Sequence, residues 1–182
     1  MVSVIAGANA SLTKDDISKN EALFQDAAYC LLQSEIPLAA INTACEPAHE
    51  HRAKVIFKLS SDIYLPNELI AAIDIFVLNA QQLAIMESDE GTIQEKAQRQ
   101  QQRGAQCIIV TQGENGCYLF DHQTQHHYDA APLAAIDTTG AGDASVSALA
   151  SYLLYGYKLP EATSVAILPP VSPRPEKVAF PR

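Results

Sequence analysis

The segment Asp137-Thr138-Thr139-Gly140-Ala141-Gly142-Asp143 holds the residues best suited to chemistry in this 182-residue chain. It runs into Val146, Leu149, Ala150, Leu153 and Leu154, an apolar stripe at helical spacing that ends at Gly156. A glycine-rich loop therefore enters a helix N-terminus. There, unpaired main-chain N–H groups and the helix dipole favour an anion without any help from lysine. The glycines let the backbone approach that anion closely. Asp143 is the odd member, because a carboxylate beside an anion site repels the ligand unless it has a task. In phosphoryl transfer the task is to accept the proton of an attacking hydroxyl, while N–H groups and Mg²⁺ stabilise charge on the transferred group. A plainer reading also stands: Asp143 as a favourable first-turn acid, and the glycines as a tight turn.

The elements that must position this segment follow from composition and pattern. Apolar residues make up 48% of the chain and charged residues 18%, the balance of an ordinary globular domain. Twelve basic against 21 acidic side chains give a net charge of −9, which disfavours nucleic acid and anionic membrane as partners. An anionic ligand must then be held locally, by main-chain N–H groups or a metal ion. Cys30, Cys45, Cys107 and Cys117 are widely spaced among apolar neighbours and read as buried free thiols, which fits a reducing compartment. No apolar run reaches the roughly 18 residues that span a bilayer. The N-terminus lacks a signal-peptide pattern, and the chain reads as cytoplasmic.

Strand and helix alternate through most of the chain. Val2–Ala6, Pro37–Asn42, Lys54–Lys58, Asp74–Leu78 and Cys107–Thr111 read as strands, with Gly7 to Ala10 as a loop. Thr13 and Asp16 resemble a capping box opening a helix whose apolar positions continue through Phe24, Ala27, Ala28 and Leu31. His49 and His51 fall on a short helix, and Pro66-Asn67-Glu68 starts another. A helix from about Thr92 to Arg103 closes at Gly104, with Gln98 to Gln102 as its solvated face. Gln112 to Gly116 is a turn, and Cys117–Phe120 with Gln125–Tyr128 form antiparallel additions. The pattern predicts an α/β fold on a doubly wound, mostly parallel sheet. The last residues differ: Pro169, Pro170, Pro173, Pro175 and Pro181 make 167–182 an extended or disordered tail after a domain spanning 1–166.

Asp137 to Asp143 matches, at every specified position, the D-T-x-G-A-G-D signature of the ribokinase-like carbohydrate kinases, the phosphofructokinase-B family. Two further elements resemble family features in the right order: Val110-Thr111-Gln112-Gly113-Glu114-Asn115-Gly116, like the strand and loop that contact nucleotide, and Asn79-Ala80-Gln81-Gln82, like the N-x-x-E element. The resemblance spans about Val2 to Ala166. It implies ATP as phosphoryl donor, Mg²⁺, a sugar or nucleoside substrate, and in many members a monovalent cation such as K⁺. Asp143 would be the general base, and Gly140, Ala141 and Gly142 the anion hole for the γ-phosphate. Asn79 would lie near the phosphates, and Thr111, Gly113, Gly116 and Thr138 would line the nucleotide site. Asp137 and the Thr139 carbonyl would be ligands of the monovalent cation.

The pattern breaks at Gln82, where the family places a glutamate that organises Mg²⁺, and at Leu59 and Leu78, where prolines are common. The family's first third, with its β-sheet lid and most sugar-gripping residues, and its final helices have no counterpart. An internal start and a frame change or truncation near Ile167 are the expectation, with a sheet partly uncovered and a marginally stable or self-associating chain as its consequence. A catalytically impaired remnant with weak nucleotide binding or a partner-association role is therefore the alternative to an active kinase. Other chemistries fit less well. His126 and His127, adjacent on a strand, point to opposite faces and share no metal easily. Ser145 and Ser147 lack a nucleophile-elbow context. Gly7-Ala8-Asn9 lacks the remainder of a dinucleotide fingerprint and reads as a substrate-side loop.

Overall fold

The computed structural model describes residues 5–61, 63–88, 90–122, 124–130 and 140–166. Six strands form one sheet in the order β1 (Tyr29–Gln33), β2 (Lys54–Lys58), β3 (Ile75–Asn79), β4 (Ile108–Thr111), β5 (Cys117–Phe120) and β6 (Gln125–Tyr128). The first four are parallel, and β5 and β6 add antiparallel. The parallel strands are joined through helices α2 (Leu38–Glu50), α3 (Asn67–Ala71), and α4 (Ala80–Met86) with α5 (Ile93–Gln102). The fold is thus the α/β class expected, with a mostly parallel sheet.

Alternation along each strand divides the core between the two faces. Val55, Phe57, Phe76, Leu78, Ile108 and Val110 meet Ile41, Ala44, Ala48, Leu69, Ile70, Leu83 and Ala97 from α2 to α5. Ile56, Ile75, Val77, Ile109 and Leu119 meet Val146, Leu149 and Ala150 of α6 (Ala141–Leu154) and Ala162 and Ala166 of α7 (Leu159–Ala166). Coverage of both faces is what a parallel sheet requires. It thins at the β1 edge, where Leu31, opposite Ile56, is 45% exposed.

Several expected boundaries move. Residues 1–4 lie outside the described residues, and Ile5 and Ala6 precede a 3-10 turn, Gly7–Ser11, rather than ending a strand before a loop. The capping box at Thr13 and Asp16 is present, but its helix α1 (Lys14–Lys19) is short. The apolar positions assigned to its continuation divide between a 3-10 turn, Glu21–Phe24, and strand β1. A short apolar run has no decisive period, and the parallel pairing of Tyr29 to Gln33 with Lys54 to Lys58 settles it as strand. Pro37 to Asn42 is not a strand either. Pro37 caps α2, and Ile41, Ala44, Cys45 and Ala48 recur at helical spacing on its buried side. The glutamine run is only partly solvated: Gln100 is fully buried and donates to Glu87 Oε1 at 2.5 Å. The tail at 167–182 lies outside the described residues.

The β4–β5 connection turns through Gly113–Asn115 and closes at Gly116, whose N–H donates to the Gly113 carbonyl at 3.1 Å. Gly116 has φ +81°, and a Cβ there would lie 1.9 Å from the Tyr128 carbonyl oxygen of the neighbouring β6. Both conformation and space exclude a side chain. Gly116→Ala is expected to lower stability by more than about 3 kcal/mol, read from the urea unfolding midpoint; a loss within 1 kcal/mol would show that the hairpin yields easily.

All four cysteines are free thiols. Burial pushes Cys30 up to about 11 and Cys45, Cys107 and Cys117 up to about 12, from an ordinary value of 9.0. Because the folded pKa values are raised, this contribution to stability is fully present below pH 9 and declines as pH climbs toward 12. The urea midpoint should therefore fall with rising pH above 9, and at pH 8 Cys45, Cys107 and Cys117 should resist a thiol-reactive disulfide reagent until the chain is denatured. Rapid labelling of the folded chain at these positions would contradict the packing described.

Candidate active site

The last residues of the four parallel strands are Gln33, Lys58, Asn79 and Thr111, so each strand ends in a polar side chain at one edge of the sheet. Register aligns Gln33 with Lys58 and Asn79 with Thr111. The carboxyl ends of parallel strands are where ligands bind in open α/β sheets. Helix α6 delivers the signature to this edge. Val146, Leu149 and Ala150 seat it on the sheet face formed by Ile56, Val77 and Ile109, which leaves its first turn beside the strand ends.

Gly140 caps α6 with φ +76°, a left-handed conformation, and a Cβ there would meet nothing within 4 Å. Glycine is thus selected at this position by the backbone and not by crowding. Ala141, Gly142 and Asp143 form the first helical turn, whose N–H groups have no partners within the helix. Asp143 extends to the sheet. Its Oδ1 accepts a hydrogen bond from Lys58 Nζ at 2.7 Å and a longer one from Gln33 Nε2 at 3.4 Å. The Lys58 side chain is 18% exposed and that of Asp143 57%, so the lysine is nearly enclosed while the carboxylate remains open to an arriving molecule. Gly142 stands over the lysine: a Cβ added there would lie 2.8 Å from Lys58 Cε and 3.3 Å from Nζ. Gln33 is steadied in turn by Ser60, whose hydroxyl donates to its Oε1 at 3.5 Å, and the buried Ser34 hydroxyl accepts from the Ser60 and Ser61 N–H groups.

Asn79 and Gln82 meet at the start of α4. Asn79 Oδ1 accepts from the Gln82 N–H at 2.7 Å, and Gln82 Oε1 accepts from the Asn79 N–H at 2.8 Å. The pair is a capping box at the start of α4. Thr111 closes the β4–β5 hairpin opposite Cys117, and Gly113 follows with φ +58° and open space around it. Gly116, by contrast, is accounted for by its contact with β6. Asp137, Thr138 and Thr139 lie outside the described residues.

Lys58 and Gln33 escaped the reading of the sequence. Lys58 ends a strand that the pattern does show, at the carboxyl end of the sheet, whereas Gln33 ends a strand that only its pairing with β2 reveals. A cleft of about 700 Å³ lies at the other edge of the sheet and is lined by Tyr29, His49, Lys54, Asp74, Gln106 and His122 among others. His49 there is engaged by Asp74 at 3.1 Å, and none of the described signature residues, Gly140 to Asp143, lines the cleft.

Comparison with known proteins bears on the family. The profile described as pfkB family carbohydrate kinase matches residues 2–167. Ribokinase from Staphylococcus aureus (strain COL) is 30% identical over 154 residues, covering 82% of this chain and 51% of that protein. Deoxyribokinase from Salmonella typhi is 28% identical over 170 residues, covering 91% of this chain and 56% of that protein. The structure of Arabidopsis thaliana ribokinase complexed with ribose and ATP superposes with a TM-score of 0.83 at 25% identity, covering 92% of this chain and 56% of that one. The chain thus spans about half the length of the curated relatives it matches. Matched over residues 2–167, this chain belongs to the pfkB family of carbohydrate kinases.

Proposed function

We propose that this chain carries the phosphate-handling part of a kinase that transfers the γ-phosphate of ATP to a hydroxyl of a sugar or nucleoside. The observation that carries the reading is Asp143, held on the first turn of α6 at the carboxyl edge of the sheet with its carboxylate open to solvent. Ribose in complex with ATP in the Arabidopsis relative, and the ribokinases among the sequence relatives, favour a pentose. In the step assigned, the substrate hydroxyl oxygen attacks the terminal phosphorus and the bond from phosphorus to the ADP oxygen breaks. Asp143 takes the hydroxyl proton. The N–H groups of Ala141, Gly142 and Asp143 hold the equatorial oxygens, whose charge must be met by fixed donors that need no reorganisation.

The residues at the expected Mg²⁺ position fit the ion poorly. Gln82 offers a neutral amide, and its oxygen is already used by the Asn79 N–H. The step assigned here therefore uses only this chain's own groups. The same observation favours the second reading, a catalytically impaired chain that binds nucleotide weakly or serves an association role.

A coupled ADP-release assay over a panel of pentoses, hexoses and nucleosides separates the two. Turnover that falls by about 10²-fold or more in Asp143→Asn, with the fold intact by circular dichroism, is the expected result; absence of turnover with every substrate would leave the second reading. Gln82→Glu should keep stability within about 0.5 kcal/mol, because glutamate closes the same capping box, and should raise Mg²⁺-dependent turnover. An unchanged Mg²⁺ response would place metal handling elsewhere.

A further inference from the structure

Lys58 is a charged side chain that neither the signature nor the expected chemistry employs. Its ammonium is 2.7 Å from Asp143 Oδ1 and its stem passes beneath the Gly142 backbone, close enough that a methyl group at Gly142 would have to push it aside. Main-chain donors and an ammonium thus converge on one small region at the start of α6. In the ligand-free chain that ammonium has the carboxylate as its partner. A terminal phosphoryl group held by the same turn offers more negative charge and several acceptor oxygens in the same place.

We propose that Lys58 is the phosphoryl-binding cation of this site, resting on Asp143 until a polyphosphate arrives and then exchanging one anionic partner for the other. The proposal rests on the anion-site reading given above and adds its main source of positive charge. It also explains how a chain of net charge −9, with an amide at Gln82, could hold a polyphosphate. Main-chain N–H groups supply direction, and a tethered ammonium supplies charge where no metal-organising carboxylate is present. The exchange has a further consequence. Once Lys58 has moved to phosphate, the Asp143 carboxylate has lost its strongest hydrogen-bond donor and is free to take the proton of an approaching hydroxyl. The lysine therefore links arrival of the phosphoryl donor to release of the base.

The exchange model makes an opposed prediction for the two partners. Removing Lys58 should weaken anion binding, whereas neutralising Asp143 should strengthen it by leaving the ammonium unengaged. The gain from neutralising Asp143 should then depend on Lys58 being present. Simple removal of a repelling charge would act regardless of Lys58.

The experiment is a titration calorimetry cycle on the full chain, using inorganic tripolyphosphate in EDTA at low ionic strength. Lys58→Met should weaken binding about tenfold or more, the loss expected for a hydrogen bond to a charged group. Asp143→Asn should tighten it about threefold or more. In the double variant that gain should vanish. A gain that persists without Lys58, or Lys58→Met binding as tightly as the unaltered chain, overturns the proposal and leaves the anion site standing. No binding by either the unaltered chain or Asp143→Asn overturns both. If Lys58→Met does not fold, Lys58→Gln replaces it, since it removes the charge at the same strand end and leaves the turn at Gly142 untouched.

Discussion

The seating of α6 on the sheet is the constraint on which the site depends. Burying a branched apolar side chain contributes about 1.5–3 kcal/mol, whereas a partly exposed ion pair contributes about 0–1 kcal/mol. Val146 and Leu149 against Ile56, Val77 and Ile109 therefore fix where the helix lies, and the Lys58–Asp143 contact only refines how its first turn meets the strand ends. Packing sets position and electrostatics sets orientation. The same division of labour runs through the rest of the edge, where Phe57 and Leu78 are enclosed and the residues that follow them, Lys58 and Asn79, end their strands with hydrogen-bonded polar side chains.

An anion site in an acidic chain has to be assembled from short-range donors, because the field of the whole molecule opposes the ligand. Three kinds of donor meet at the first turn of α6: main-chain N–H groups, an ammonium and, through Gln33, an amide. None of them is far from a competing acceptor. Asp143 occupies two of the three, so the resting arrangement is already charge-compensated and gains nothing from collapsing further. The same compensation would let the carboxylate stand next to the proposed anion site without the penalty that its charge alone would suggest.

Much of the fold was legible from pattern, and the exceptions have physical causes. Lys54 to Lys58 was readable at its own bounds, and Ile75 to Asn79 within one residue as Asp74 to Leu78, because β-branched and aromatic residues bounded by polar ones favour a strand. Tyr29 to Gln33 was not, since five residues of mixed character acquire their strand identity from pairing with β2. Pro37 misled in the other direction: proline before Leu-Ala-Ala caps a helix as readily as it interrupts a strand, and only the recurrence of Ile41, Ala44 and Ala48 decides. At the site, Asp143 and the glycines were legible because their spacing is chemically restrictive. Lys58 was hidden because its partner lies 85 residues away in sequence, and no local rule connects the end of one strand with the start of a distant helix.

The reciprocal hydrogen bonds between Asn79 and Gln82 carry a lesson about how such a site can drift. Glutamine and glutamate satisfy the same two main-chain partners at the third position of a helix, so the start of α4 is equally well formed with either. Their codons differ by one base. A change that removes a formal charge from the carboxyl end of the sheet can therefore leave the helix start intact, and quality control that inspects only foldedness would pass it. Structural integrity and chemical competence are inherited separately at this position.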